Sequence, residues 1–274
     1  MTIEELLIYG KQHIHKDHAK ILLAELIGKN PLELLNHLEE KVTKEQEEIY
    51  KKEILELKDG KPLQYILGNV NFYGLSFNID DRVLIPRFET EELVENTINY
   101  INKYFNHPID LIDLGCGSGV IGLTIEKKVN TNSVDLVDIS KGALEVTKIN
   151  HDKLNSKANI IESDLFQNIN EKYDCIISNP PYIKTNEEIQ TIVKNNEPHL
   201  ALYAGIDGLD CYKKILERIE NHCKEKCLIA FEIGSNQKED ILNLISKYLP
   251  NTKVIVKKDL SERDRMVFIF KNLE

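Results

Sequence analysis

The run Asn179-Pro180-Pro181-Tyr182 contains the residue types that hold a planar NH2 group, and it directly follows an apolar, strand-like segment at 173–178. The Asn179 carboxamide can accept a hydrogen bond from an N–H group and donate one in return. The two prolines fix the backbone and lack N–H donors, which leaves neighbouring carbonyl groups for a ligand, and the tyrosine ring offers a flat packing face. The sequence therefore predicts a clamp, residues 179–182, for an amide or an aromatic amine.

A glycine-rich turn lies upstream, between a strand-like run at 110–114 and a helical run at 120–127, and it reads Asp113-Leu-Gly-Cys-Gly-Ser-Gly119. Glycines let a backbone turn tightly and approach a ligand closely. The pattern G-x-G-x-x-G alone is weak support for a dinucleotide site. A carboxylate at the strand end, Asp113, would repel a pyrophosphate but suits a ligand with an amine or a positive charge.

Acidic residues also follow the next two strands. Asp138 ends the second strand, at about the distance where an acidic residue binds a ribose diol, and Asp164 follows the third. Each of these residues alone is better explained as a strand-end cap in a turn. Together with the glycine turn and the clamp, they indicate a nucleoside ligand without phosphates.

The first 60 residues read as helices only. Asp17 is expected to cap a helix that runs to Gly28, Pro31 to open another helix, and Thr43 to cap a third. The alternating segment around Gly74 indicates a β-hairpin. We therefore expect a small helical bundle at 1–60, a linker with a hairpin at 61–87 and a further domain at 88–274.

From residue 88 the pattern alternates between helices and strands, which predicts an α/β fold with a mostly parallel sheet and helices on both faces. No long helix separates the last two strands, so an antiparallel edge pair is expected. The predicted strands are Asp110–Leu114, Val134–Asp138, Asn159–Glu162, Tyr173–Ser178, Cys227–Glu232, Lys253–Val256 and Met266–Phe270.

Composition restricts the class of partner. The net charge of −10 disfavours generic nucleic-acid binding, which needs clustered lysine and arginine. No apolar stretch has the length of a membrane span, and the first residues do not read as a signal peptide. The five cysteines lack metal-ligand spacing and are expected to be free thiols in a reducing cytoplasm, with no metal bound. We expect a cytoplasmic monomer.

These motifs resemble those of class I S-adenosylmethionine-dependent methyltransferases and, more narrowly, those of the release factor glutamine methyltransferase family. The glycine turn and the clamp are shared broadly with amino-methyltransferases. Two runs are narrower signals, Val83-Leu-Ile-Pro-Arg-Phe-Glu-Thr-Glu91 and Gly205-Ile-Asp-Gly-Leu-Asp210, although the family commonly has proline where this chain has Phe88. The other matching runs are 62–68, 72–74, 137–140, 197–198 and 232–234.

The resemblance implies a Rossmann-like, seven-stranded methyltransferase domain, preceded by a small N-terminal helical bundle that recognises the substrate protein and by a β-hairpin linker. It implies methyl transfer to the glutamine amide of the Gly-Gly-Gln motif in peptide-chain release factors, which would be the protein partners. Asn179 and Pro180 are then the catalytic residues, because their oxygens would accept the two amide N–H bonds. Pro181 and Tyr182 would pack on the plane of the amide.

The cofactor implied by the resemblance is S-adenosylmethionine, with S-adenosylhomocysteine as product. We expect Asp138 to bind the ribose hydroxyl groups, Asp164 to accept from the adenine amino group, and Asp113 to meet the methionine ammonium directly or through water. The full set of expected cofactor-binding residues is Asp113, Gly115, Cys116, Gly117, Ser118, Gly119, Asp138, Ile139, Asp164, Leu165, Phe166 and Asn179. Arg87, Glu89 and Glu91 either shape the site or open the following helix.

Three other functions compete with this one. A nucleic-acid adenine methyltransferase uses a similar clamp, but the acidic composition and the lack of a basic recognition domain oppose it. A second possibility keeps the chemistry and changes the substrate to a glutamine in a ribosomal protein. A third, a cofactor-binding module without transfer activity, conflicts with the intact clamp.

Overall fold

The computed structural model describes residues 1–273, which divide into two compact units. The smaller unit comprises Met1–Asn69 and Gln190–Asn196, and the larger comprises Val70–Ile189 and the chain from Glu197 onward. We number the helices α1–α10 and the strands β1–β9 along the chain. The smaller unit contains α1 (Ile3–His13), α2 (Lys16–Ile27), α3 (Lys44–Lys58), α4 (Leu63–Leu67), α8 (Thr191–Asn196) and a 3-10 turn at Glu33–Asn36.

Side-chain caps begin three of these helices, α1, α2 and α3. Thr43 caps α3 in a reciprocal capping box with Gln46, as the sequence predicts. The prediction that Asp17 caps α2 is wrong: the cap is His15, two residues earlier, whose ring accepts from the Asp17 N–H. Asp17 lies in the first turn of α2, where its charge suits the helix dipole. The helix expected after Pro31 is only the 3-10 turn, because a single residue of it, Leu34, is buried and no apolar stripe can form.

The larger unit is built on a seven-stranded sheet of order β5-β4-β3-β6-β7-β9-β8. The first five strands in that order are parallel, and β9 runs antiparallel to both of its neighbours, which confirms the predicted mixed edge. A separate hairpin, β1 (Asn69–Phe72) and β2 (Leu75–Asn78), precedes it. The sheet strands are β3 (Ile109–Leu114), β4 (Thr131–Asp138), β5 (Asn159–Glu162), β6 (Tyr173–Ser178), β7 (Cys223–Glu232), β8 (Lys253–Lys258) and β9 (Asp264–Lys271).

Helices cover both faces of this sheet, so successive strand residues enter two different cores. Leu111 of β3 packs in one core cluster and Ile112 in the other. The first cluster includes residues of α5 and α6, and the second includes residues of α9 and α10. The helices of this unit are α5 (Phe88–Tyr104), α6 (Val120–Lys128), α7 (Lys141–Lys153), α9 (Asp210–His222) and α10 (Lys238–Tyr248).

Close packing of α6 on the sheet depends on Gly122. A Cβ atom at this position would lie 2.3 Å from Leu136 Cδ2 and 3.1 Å from the Asp113 Cβ. The helix therefore approaches β3 and β4 at a distance that only glycine allows. This approach fixes the glycine turn at the carboxyl edge of the sheet, where ligands of open α/β folds bind. Within residues 1–273, no helix combines the length and apolar character needed to cross a membrane.

Candidate active site

A cleft lies at the carboxyl edge of the sheet in the larger unit, where β3, β4 and β6 end. Ten of the residues expected at the site line it: Gly115, Cys116, Gly117, Ser118, Asp138, Ile139, Asp164, Leu165, Asn179 and Pro181. Other parts of its wall come from segments without an assigned role in the sequence: Arg82, Val83, Leu84, Pro86, Thr90, Pro198, Leu200, Ala201, Cys211 and Lys214.

The Asp138 carboxylate is held by the backbone of two turns. The Gly117 N–H donates to Oδ2 at 2.9 Å, and the Ser140 N–H donates to Oδ1 at 2.8 Å. Burial raises the pKa of Asp138, and these N–H groups oppose that rise by stabilising the charged form. Each carboxylate oxygen has a second lone pair, so the fixed carboxylate can accept two ribose hydroxyl groups.

Asp113 is completely buried behind the glycine turn and does not line the cleft. Its Oδ2 accepts from the Gly122 N–H at 2.9 Å, whereas Oδ1 has no hydrogen-bond partner within residues 1–273. Burial raises the pKa of Asp113 to about 7. A direct contact between Asp113 and the methionine ammonium is therefore not supported by this placement.

The wall expected to face the adenine is formed by Ser163, Asp164, Leu165 and the exposed side chain of Ile139. Asp164 Oδ2 accepts from Lys214 Nζ at 3.2 Å, so this carboxylate lies in an ion pair at the rim. Phe166 does not reach the cleft, which corrects its expected role. It is buried and stacks on His222, with ring centroids 4.2 Å apart, because the turn after β5 directs it into the core.

The clamp is connected to residues that the sequence did not associate with it. Asn179 Nδ2 donates to Thr90 Oγ1 at 3.2 Å, and Thr90 Oγ1 donates to Glu232 Oε2 at 2.6 Å. The Tyr182 hydroxyl donates to Glu232 Oε1 at 3.5 Å. Of the clamp residues, Asn179 and Pro181 line the cleft, whereas Pro180 is buried and Tyr182 lies behind the wall.

Glu232 is the main site residue that the sequence did not predict individually. It appears there only within the run 232–234 that matches the family. It ends β7, as Asp138 ends β4, so the same strand-end rule would have identified it. The register pairs Ser178 with Phe231, so the next residues along, Asn179 and Glu232, leave neighbouring strands together. Burial raises the pKa of Glu232 to about 7, against the opposing effects of Thr90 and Arg265.

An ion pair connects two walls of the cleft. Arg87 Nη2 donates to Glu197 Oε1 at 2.6 Å, and the Ile85 N–H donates to Oε2 at 3.3 Å. The Glu197 side chain is only 2% exposed. Because Pro86 and Pro198 line the cleft beside this pair, Arg87 shapes the site.

The residues present fit S-adenosylmethionine: a carboxylate fixed for the ribose, a glycine turn, an apolar wall and a clamp beside them. Solved structures share the fold, including a methyltransferase from Pyrococcus furiosus (TM-score 0.53, 17% identity, 81% of this chain and 98% of that one). Another is a 16S rRNA N2 G1207 methyltransferase of T. thermophilus (TM-score 0.55, 13% identity, 74% of this chain and 50% of that one). These likenesses show that the chain has the fold of class I methyltransferases.

Two family models match the chain, the PrmC N-terminal domain over residues 11–68 and the methyltransferase small domain over residues 96–201. Relatives named release factor glutamine methyltransferase include those of Bacillus subtilis (36% identity, 97% of this chain and 96% of the relative) and Streptococcus pneumoniae (40%, 85% and 83%). The Bacillus cereus protein of that name is 36% identical over 91% of this chain and 90% of its own. The chain belongs to the release factor glutamine methyltransferase family.

Proposed function

We propose that the protein transfers a methyl group from S-adenosylmethionine to the side-chain amide nitrogen of the glutamine in the Gly-Gly-Gln motif of peptide-chain release factors. The observation that carries this proposal is the position of Asn179. Its carboxamide lines the same cleft as the glycine turn and Asp138, and its NH2 group is already bonded to Thr90. The amide oxygen is therefore the group that can accept from a substrate N–H.

An amide nitrogen is a poor nucleophile because its lone pair is delocalised into the carbonyl group. We assign acceptance of its two N–H groups to Asn179 Oδ1 and the Pro180 carbonyl, which orients the lone pair and stabilises the positive charge that develops on nitrogen. We place Pro181, which lines the cleft, against the amide plane, with Tyr182 behind it and bonded to Glu232. When bound, S-adenosylmethionine supplies an electrophilic sulfonium methyl group. The clamp contributes to the rate mainly by positioning the nitrogen. After transfer, the methylated nitrogen loses one of its two protons.

Cofactor contacts follow the same assignment. We place the ribose hydroxyl groups on Asp138 and the methionine portion along Gly115–Gly119, with Ile139 and Leu165 beside the adenine. The Asp164 carboxylate accepts the adenine amino group through the oxygen that does not pair with Lys214.

The release factor is the protein partner in this proposal, and we assign its recognition to the helical residues 1–60. The family match over residues 11–68 supports that assignment. A net charge of −10 supports action on a protein without direct nucleic-acid binding. A release-factor substrate places the protein in the cytoplasm, where we expect a monomer.

The test is to incubate the protein with S-adenosylmethionine and an unmethylated release factor and to map the product by peptide mass spectrometry. We expect one methyl group on the glutamine of the Gly-Gly-Gln motif. Methylation confined to added DNA, RNA or a ribosomal protein would contradict the proposal.

A variant separates the clamp from the cofactor site. Asn179→Ala should reduce transfer to below about 1% of the wild-type rate, because an oriented acceptor on the reacting group is lost. The Kd for S-adenosylhomocysteine, measured by calorimetry, should stay within about threefold. The matched control is Asn96→Ala, which removes a half-buried carboxamide outside the cleft wall. Equal loss of transfer and cofactor binding would show that Asn179 acts chiefly as a cofactor ligand or structural residue.

A further inference from the structure

Two buried residues, Thr90 in the cleft wall and Glu232 behind it, form a continuous hydrogen-bonded chain with the clamp. Thr90 is 3% exposed and is the third residue of α5, while Glu232 is 1% exposed and ends β7. Their hydroxyl-to-carboxylate distance is 2.6 Å, and Asn179 follows at 3.2 Å from the same hydroxyl oxygen. The chain connects a 17-residue helix, the end of a central strand and the clamp.

The direction of these bonds follows from the number of hydrogens available. A threonine hydroxyl has one hydrogen, and an ionised carboxylate can only accept. When Glu232 is ionised, it accepts a hydrogen bond from the Thr90 hydroxyl. The Thr90 oxygen can then only accept a hydrogen bond from its other neighbour. The group of Asn179 that faces Thr90 must therefore be its NH2, which leaves Oδ1 as the only acceptor of this side chain.

We propose that Thr90 and Glu232 are positioning residues, which hold the Asn179 carboxamide in the one orientation that presents its oxygen to the substrate amide. In this assignment both residues act through Asn179 and not on the reacting atoms. The inference rests on the proposed function, because it assumes that Asn179 accepts a hydrogen bond from the substrate NH2 group. A carboxamide turned by half a rotation would present NH2 to NH2, with two donors facing each other.

Glu232 also reaches the other end of the clamp. Its second oxygen accepts from the Tyr182 hydroxyl, and Arg265 Nη1 donates to that hydroxyl oxygen at 3.5 Å. One carboxylate therefore orients both the amide and the aromatic residue of the clamp. A purely structural role for Glu232 would not require one oxygen to accept from the Tyr182 hydroxyl and the other from Thr90, which contacts Asn179.

The experiment compares Thr90→Val, Thr90→Ser and Thr97→Val in methylation of a release factor. Valine keeps the shape of threonine and removes the hydroxyl, while serine keeps the hydroxyl. Thr97 is the matched control, because it is buried in the same helix, lies outside the cleft wall and donates only to the Leu93 carbonyl, at 2.7 Å.

We expect Thr90→Val to lower kcat on the order of 10²-fold, as a misplaced catalytic group does. The Kd for S-adenosylhomocysteine and the KM for the release factor should change by less than about threefold. Thr90→Ser should recover most of the lost kcat. If Thr90→Val does not fold, Glu232→Gln serves in its place, and we expect a kcat about tenfold lower at pH 8, since a neutral acceptor holds the Thr90 hydrogen less firmly.

Wild-type kcat in Thr90→Val, or in Glu232→Gln when that variant replaces it, would overturn the inference. A loss equal to that of Thr97→Val, or a Thr90→Ser variant as slow as Thr90→Val, would also overturn it. If the wild-type protein transfers no methyl group to the release factor, the proposed function fails and the inference falls with it. An active wild type with an unaffected Thr90→Val variant rejects the inference alone.

Discussion

The orientation of Asn179 should make the enzyme sensitive to pH through Glu232. Burial raises the pKa of this carboxyl group to about 7, so about 9% is ionised at pH 6 and about 91% at pH 8. When protonated, Glu232 carries its own hydrogen and donates to the Thr90 oxygen. The Thr90 hydroxyl then donates to Asn179 Oδ1. The carboxamide is therefore turned over and presents its NH2 group to the substrate amide. We expect kcat/KM for the release factor to rise about tenfold between pH 6 and pH 8.

Several groups face Glu232 and set its pKa besides burial. Arg265 of β9 and the Tyr182 hydroxyl favour the ionised form, as does the Thr90 hydroxyl, whereas Glu89 of α5 opposes it. Tyr212 of α9 donates to the Glu232 backbone carbonyl at 2.6 Å and leaves the carboxylate to the other partners. The ionised form is therefore the one for which hydrogen-bond donors are arranged.

The assay is initial-rate methylation of a release factor at saturating S-adenosylmethionine from pH 6 to pH 9, because kcat/KM reports the pKa of the form without release factor. Glu232→Gln is the decisive variant, since glutamine does not titrate. Its activity should be lower at pH 8 and nearly constant across the range. A tenfold rise that persists in Glu232→Gln, or a flat profile in the wild type, would refute the assigned role.

Two further perturbations test the buried charges of the site. Because the folded-state pKa of Asp113 is about 7, against 3.8 for an ordinary aspartate, its stabilising contribution is full below pH 3.8 and is lost as the pH rises through 7. Asp113→Asn should therefore reduce the loss of stability between pH 6 and pH 8 by about 1.3 kcal/mol, or about 2 °C in Tm by calorimetry; an unchanged loss would contradict the burial argument. Arg87→Met should destabilise the protein by about 2 kcal/mol, since it leaves the Glu197 carboxylate buried without its cation. The control Lys148→Met removes an exposed ion pair and should destabilise it by less than about 0.5 kcal/mol. Equal Tm values for these two variants would show that the Arg87 pair does not stabilise the cleft.

The sheet could be predicted from the sequence because its strands are short apolar runs that alternate with amphipathic helices. The prediction for β6 matches the structure at both ends, and that for β4 is short by three residues at its start. The antiparallel edge was expected from one local fact, the missing helix between the last two strands. These features depend on periodicity within a window of the chain, which a single sequence contains.

The connection between Glu232 and Thr90 could not be predicted in the same way, because the two residues are 142 positions apart and only the sheet order brings them together. The burial of Phe166 has a similar cause. Its neighbours Asp164 and Leu165 line the cleft, but a left-handed backbone at Leu165, with φ of 51°, turns the next residue into the core. Phe166 was therefore wrongly predicted to reach the cleft, because the prediction rested on its neighbours in the sequence and the direction of its side chain depends on one dihedral angle.

The acidic residues that follow the strands lie in different environments. The sequence prediction of a nucleoside ligand took Asp113, Asp138 and Asp164 together. Asp138 is held open to the cleft by two backbone donors, whereas Asp164 is neutralised at the rim by Lys214. Asp113 is buried behind the glycine turn, and Glu232 lies behind the clamp. Burial, which raises the pKa of both of these carboxyl groups to about 7, separates them from any direct contact with a ligand. We therefore expect Asp138 to make the main charged contact with a ligand at this edge, and Glu232 to act on the reaction only through the side chains it orients.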